Sequence, residues 1–128
     1  GAAFSGENVY ATGLAENIAA FTDAHLRSPA IDLTPYTRQA TLSYAEWVRI
    51  DPEVGFHQAT VNILDADTLE LVEEVSVRAG ETADWETQSV RLKSDSLGRR
   101  ILIEFRLSTD DFNLLEGWFL DDVQLIAE

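Results

Sequence analysis

The chain contains no cysteine and only nine basic residues against 23 acidic ones, and each shortage excludes something. Without cysteine there is no disulfide framework, no thiol nucleophile and no thiolate ligand for a metal. That absence fits either a reducing compartment or a bacterial secreted module that folds without disulfides. A formal charge of −14 at pH 7 produces a field that repels phosphate backbones and anionic lipid heads, so nucleic acid is not an expected partner and cations are better ones. No run approaches the roughly 18 apolar residues needed to cross a bilayer, so membrane insertion is not expected. The two histidines, His25 and His57, stand far apart in the sequence without HExxH spacing, which argues against a zinc site. No nucleophile elbow, Walker loop or glycine-rich dinucleotide turn occurs.

With 128 residues, 45% of them hydrophobic, the chain has the size and composition of a single domain over residues 1–128. A chain of this length buries roughly two-thirds of its unfolded surface, enough to fold on apolar contacts. Periodicity then sets the class. From Thr41 to Ile50, Leu42, Tyr44, Val48 and Ile50 fall on one face and Ser43, Trp47 and Arg49 on the other. Ala59, Val61 and Ile63 alternate with polar residues, as do Ile101, Ile103, Phe105 and Leu107. Asp65-Ala66-Asp67-Thr68 has the short polar side chains of a turn and predicts a hairpin from Ala59–Ile63 to Leu69–Val77. Val90 and Leu92 repeat the alternation, Ser94 to Gly98 forms a further turn, and Phe119 to Leu125 gives a last strand. Ser28-Pro29 and Thr34-Pro35 predict an interrupted edge strand between Ala24 and Leu33. Leu14 to Phe21 reads either as a short helix or as a loop packing Ile18 and Phe21 inward. The sum is an all-β antiparallel β-sandwich, jelly-roll or immunoglobulin-like.

Several segments carry a resemblance: Tyr10 to Leu14 (YATGL), His25 to Leu33 (HLRSPAIDL), Leu42 to Trp47 (LSYAEW), Asp65 to Thr68 with Trp85 beyond it, and the closing Gly117 to Val123 (GWFLDDV). In this order they resemble the jelly-roll modules attached to secreted bacterial peptidases and glycosidases, related to MAM-type, cleaved-adhesin and carbohydrate-binding sandwiches. The resemblance covers most of the chain. It implies a jelly roll, an extracellular setting and a non-catalytic accessory role beside a companion domain.

Asp121 shares the phase of Phe119, Val123 and Leu125, so if those three face the core this carboxylate points inward and needs a partner. Similar modules hold a calcium ion with an Asp of the last strand, which makes Asp121 the first expected Ca²⁺ ligand. Glu7, Asn8, Asp23, Asp51 and Glu53 are co-ligand candidates, because the first and last strands of a jelly roll often adjoin. The alternative is that Asp121 simply accepts hydrogen bonds from backbone N–H groups or an arginine. Trp47, with Tyr44 and Arg49, is the expected recognition patch for a polysaccharide or cell-surface glycan, since a flat ring stacks on the apolar face of a sugar. Trp85 is expected to pack in the core. The other reading is a structural or protein-adhesion domain that packs against a neighbouring domain of the same chain. A third, catalytic, reading pairs Glu46 with Glu104 as glycosidase carboxylates, provided their strands adjoin.

Overall fold

The computed structural model describes residues 7–12, 16–18, 23–49, 58–78, 85–108 and 117–128. Two antiparallel sheets stack face to face as a jelly-roll β-sandwich. Sheet I is ordered β1 (Glu7–Thr12), β10 (Gly117–Ala127), β5 (Ala40–Arg49), β8 (Glu86–Arg91), with β2 (Glu16–Ile18) also paired to β10. Sheet II is ordered β3 (Asp23–Arg27), β9 (Arg100–Ser108), β6 (Gln58–Asp65), β7 (Leu71–Arg78), with β4 (Ile31–Asp32) paired to β9. A 3-10 turn covers Ser94–Ser96.

The core is what the alternation in β5, β6 and β9 dictates. Leu42 and Tyr44 of β5 and Leu120, Val123 and Leu125 of β10 face Val61 and Ile63 of β6 and Ile101, Ile103 and Phe105 of β9. Burying each such side chain contributes about 1.5–3 kcal/mol. The Tyr44 and Phe105 rings meet edge to face across the two sheets, with centroids 5.6 Å apart at 80°, the geometry their quadrupoles favour. At the β7 side the sandwich is closed by a carboxylate: Glu73 accepts the Lys93 N–H at 2.9 and 3.2 Å, tying β7 to the end of β8.

The interrupted edge strand is present as β3 and β4, split at Pro29. Ser28 carries the ladder across the break, its backbone N–H donating to Ile103 O and its hydroxyl accepting the Ile103 N–H, both at 2.9 Å. The helical alternative for Leu14 to Phe21 is overturned at Glu16–Ile18, which form β2 against Trp118–Leu120. A helix that short is marginal on propensity alone, and the open edge of β10 supplies backbone partners instead.

Periodicity in β10 misleads at one place. Asp121 pairs with Ala45 and Gln124 with Ser43, so Asp122 and Val123 together oppose the single residue Tyr44. This is a β-bulge, and Asp122 takes φ 53 to make it. The extra residue reverses the phase: Leu120, Val123, Leu125 and Ala127 are all buried, while Phe119 and Asp121 belong to the outer face.

The β6–β7 hairpin is held by its first acid. Asp65 Oδ1 accepts the N–H groups of Asp67 at 2.8 Å and Thr68 at 3.0 Å, and Arg99 lies 3.5 Å from Oδ2. The Thr68 and Asp67 N–H groups, aided by Arg99, hold the Asp65 carboxyl below its usual pKa. A group depressed in the folded state adds stability above its unfolded pKa of about 3.9 and loses it as pH falls through the folded value. Asp65→Asn keeps the acceptor and removes the charge, so we expect a Tm below that of the parent at pH 7. The gap should close on acidification below about pH 4. Thermal melts across that range check this, and a gap independent of pH would contradict it.

Candidate functional site

The outer face of sheet I presents a row of aromatic rings. Trp47 of β5 pairs in register with Phe119 of β10, and their rings lie 5.8 Å apart at 38°. On the other side of Trp47 the Trp85 ring, which precedes β8, lies 6.2 Å away at 56°. Trp85 is 41% exposed and Trp47 and Phe119 are half-buried, so the strip runs from β10 across β5 and opens at the β8 edge. Around it the outward positions of β5 and β8 are small or polar: Ser43, Ala45, Thr87 and Ser89. Asp121 sits two residues from Phe119, about 7 Å along the strand, half-buried on this same face. Its Oδ1 accepts the Asp122 N–H at 2.8 Å. Flat apolar rings beside a carboxylate acceptor suit a ligand with an apolar face and hydroxyl edges.

The expected residues distribute as follows. Trp47 is on the outer face. Tyr44 is not: only 1% exposed, it lies between the sheets against Phe105, so its ring cannot meet a ligand. Alternation requires this, since Tyr44 and Trp47 are three positions apart and point to opposite faces. Trp85, expected in the core, is part of the strip. The Arg49 side chain lies outside the described residues. Phe119 and Asp121 are brought into the site by the bulge, which the period-two reading missed; the adjacent acids Asp121 and Asp122 inside an apolar strand were the available signal.

Among the described residues the expected calcium ligands are not brought together. Asp121 faces outward rather than into the core. Glu7 and Asn8 lie on β1 opposite Ala127 and Ile126, at the far end of β10 from Asp121. Asp23 lies on β3, in the other sheet. Asp51 and Glu53 lie outside the described residues, as does His57. Among the described residues no group of three or more His, Asp or Glu side chains is close enough to hold a metal ion.

Glu46 and Glu104 do not form a pair. β5 is flanked by β10 and β8, and β9 by β3, β4 and β6, so the two strands never adjoin. Glu46 is buried on the inner face of sheet I, in register with Leu120. Glu104 lies on the outer face of sheet II, in a row fixed by register: Arg27 of β3, Glu104 of β9 and Asn62 of β6 stand side by side. Arg27 Nε donates to Glu104 Oε2 at 2.8 Å and Asn62 Nδ2 to Glu104 Oε1 at 3.2 Å. Both carboxylate oxygens are therefore satisfied although the side chain is only 3% exposed.

No protein-family model matches the chain. Bacillopeptidase F of Bacillus subtilis (strain 168) is 30% identical over 123 residues, which are 96% of this chain and 8% of that protein. The chain thus spans only a small part of the curated relative it matches. Among solved structures, carbohydrate-binding modules of the β-sandwich superfamily superpose with a TM-score of 0.50 at 13% identity, over 94% of this chain and 56% of theirs. The K1 cleaved adhesin domain of Lys-gingipain from Porphyromonas gingivalis W83 gives a TM-score of 0.48 at 18% identity, over 83% of this chain and 64% of that one. The β-sandwich fold is shared. No helix among the described residues is long and apolar enough to cross a membrane.

The buried row on sheet II yields a stability prediction. Removing Arg27 leaves the Glu104 carboxylate enclosed with one hydrogen bond, and Arg27→Met should cost about 2–4 kcal/mol, below the range for fully buried pairs because Arg27 is partly exposed. Replacing both, as Arg27→Met with Glu104→Leu, should recover much of that loss. Urea unfolding of the two single variants and the double variant checks the coupling, and purely additive losses would refute it.

Proposed function

We propose that the chain is a non-catalytic accessory module of a secreted multidomain protein and that it binds carbohydrate along the Trp85–Trp47–Phe119 strip. The strip is the observation that carries this reading. Three rings on one sheet face, one of them well exposed, form a platform on which the C–H faces of successive sugar rings stack. Asp121 stands beside the platform as an acceptor for a hydroxyl. The −14 charge favours a neutral polysaccharide over an anionic one.

The comparisons support the reading at two levels. The fold is shared with modules that bind carbohydrate, and the sequence relative is a bacterial peptidase of which this chain matches a small share. An accessory piece of a larger enzyme fits both, its task being to hold a companion domain near a polysaccharide or cell surface. Calcium has no assigned place in this reading, since among the described residues no group of three or more His, Asp or Glu side chains is close enough to hold an ion.

Retention on insoluble polysaccharides, followed by affinity electrophoresis on soluble glycans, tests the proposal. Trp85→Ala, at an exposed edge, should leave the fold intact and weaken binding at least ten-fold, equivalent to about 1.4 kcal/mol. Asp121→Ala should weaken it less, and a chelator should leave it unchanged. Loss of retention on chelation would return a metal ion to the site. No retention on any glycan would instead favour a structural domain whose aromatic strip is covered by a neighbouring domain of the same chain.

A further inference from the structure

Sheet II carries its own concavity, on the side of the sandwich away from the aromatic strip. It is a groove of about 220 Å³ lined by Arg27, Asn62, Leu64, Leu69, Leu71, Glu104 and Arg106. That volume is below the roughly 300–1,000 Å³ of sites for drug-sized ligands, so the groove has room for one ring-sized group.

Its two walls differ in chemistry. On the hairpin side Leu69 and Leu71 are 48% and 59% exposed. Leu69 is also held at φ 63, in the left-handed region where glycine or asparagine is the usual occupant. A large apolar side chain kept in a strained backbone and turned to solvent is poor for stability, and such outliers concentrate at binding sites.

The opposite wall is polar. Asn62 is 8% exposed; its Nδ2 donates to Glu104 Oε1 at 3.2 Å and to Thr60 Oγ1 at 3.4 Å, which fixes the orientation of the amide. Its Oδ1 takes no donor among the described residues and is not sealed from solvent. Arg27 commits Nε to Glu104, and its Nη groups have no acceptor among the described residues. One open acceptor and a set of open donors therefore flank Glu104 on adjacent strands, with the Arg27 charge already matched by the carboxylate.

We propose that this groove is a second carbohydrate subsite, taking a single neutral sugar residue. Adjacent hydroxyls, each of which both donates and accepts, satisfy Asn62 Oδ1 and the Arg27 Nη groups together. The C–H face of the ring covers Leu69 and Leu71. An anionic sugar is disfavoured because the Arg27 charge is matched by Glu104 and the surrounding field is negative. The inference rests on the carbohydrate reading of the module but uses none of the residues of the aromatic strip. Two sites on opposite faces of the sandwich make the module able to bridge two glycan chains.

Titration of ¹⁵N-labelled protein with the methyl glycosides of glucose, galactose and mannose, alongside glucuronic acid and N-acetyl-leucine amide, tests this. At least one neutral glycoside should shift the Asn62 side-chain NH2 and the Leu69–Leu71 amides, and those shifts should persist in Trp85→Ala. Leu69→Gly should raise or preserve Tm while weakening that binding at least three-fold; a merely structural Leu69 would raise Tm and leave binding unchanged. Shifts confined to the Trp47 and Trp85 indoles overturn the second subsite and leave the strip standing. Shifts at the groove with glucuronic acid alone, or with N-acetyl-leucine amide alone, overturn the ligand class, and no shift with any probe overturns the site.

Discussion

Where β10 runs beside β5, one extra residue decides the side on which every neighbouring side chain emerges. Had β10 kept strict alternation, Asp121 would share a face with Val123 and Leu125, and either a carboxylate would enter the core or two aliphatic side chains would leave it. An enclosed, unpaired carboxylate costs several kcal/mol, and exposing Leu125 forfeits about 1.5–3 kcal/mol. The bulge at Asp122 avoids both at the expense of one residue in the left-handed region, which Asp tolerates better than most. The same step turns Phe119 and Asp121 outward together. The core and the candidate site of sheet I are thus two consequences of a single irregularity.

Sheet II solves a different problem. Its central strands are buried on both faces, from Val61 to Leu64 and from Ile101 to Phe105, so polar residues on the outer side cannot rely on water. Register answers this by setting Arg27 and Asn62 on either side of Glu104. A slip of one residue would send Glu104 into the core and Phe105 outward. The row therefore does for sheet II what the bulge does for sheet I: it makes one alignment of the strands far better than its neighbours. That Asn62 and Arg27 retain unused hydrogen-bonding groups after meeting this structural demand is what gives the outer face chemistry to offer a ligand.

The sandwich was legible in the sequence because β5, β6 and β9 carry period two along most of their length. Ile101-Leu102-Ile103-Glu104-Phe105 and Ala59 to Leu64 announce their inward faces, and Asp65 to Thr68 announces the hairpin through side chains that bond their own backbone. Trp47 was legible for the same reason, lying out of phase with Leu42 and Tyr44. What period two could not deliver was any residue beyond an irregularity. Phe119 and Asp121 precede the bulge, so the phase of the residues that follow it gives them the wrong face. Trp85 precedes a strand rather than belonging to one, so alternation said nothing of its direction. The expectation for Tyr44 as a ligand contact failed because it counted aromatic residues near Trp47 in sequence rather than by face. Arg27, Glu104 and Asn62 come from three strands spread across most of the chain, and only the pairing order of sheet II, which local pattern does not encode, puts them in one row.

On the proposed reading the two outer faces would bind by different physics, and the net charge would select between their ligands. A strip of rings binds through apolar contact, which salt does not screen, whereas contacts to exposed charges weaken over a Debye length of about 8 Å in physiological salt. In a chain of −14 charge, attraction to an anionic partner would have to overcome the protein's own field. Of the arginines on sheet II, Arg27 is matched by Glu104 and Arg100 by Asp67 at 2.8 Å. Each of these pairs neutralises its guanidinium, leaving directional hydrogen bonds rather than net charge at Arg27 and Arg100. A partner suited to both faces has apolar ring surfaces, many hydroxyls and no charge, which is the chemistry of a neutral polysaccharide.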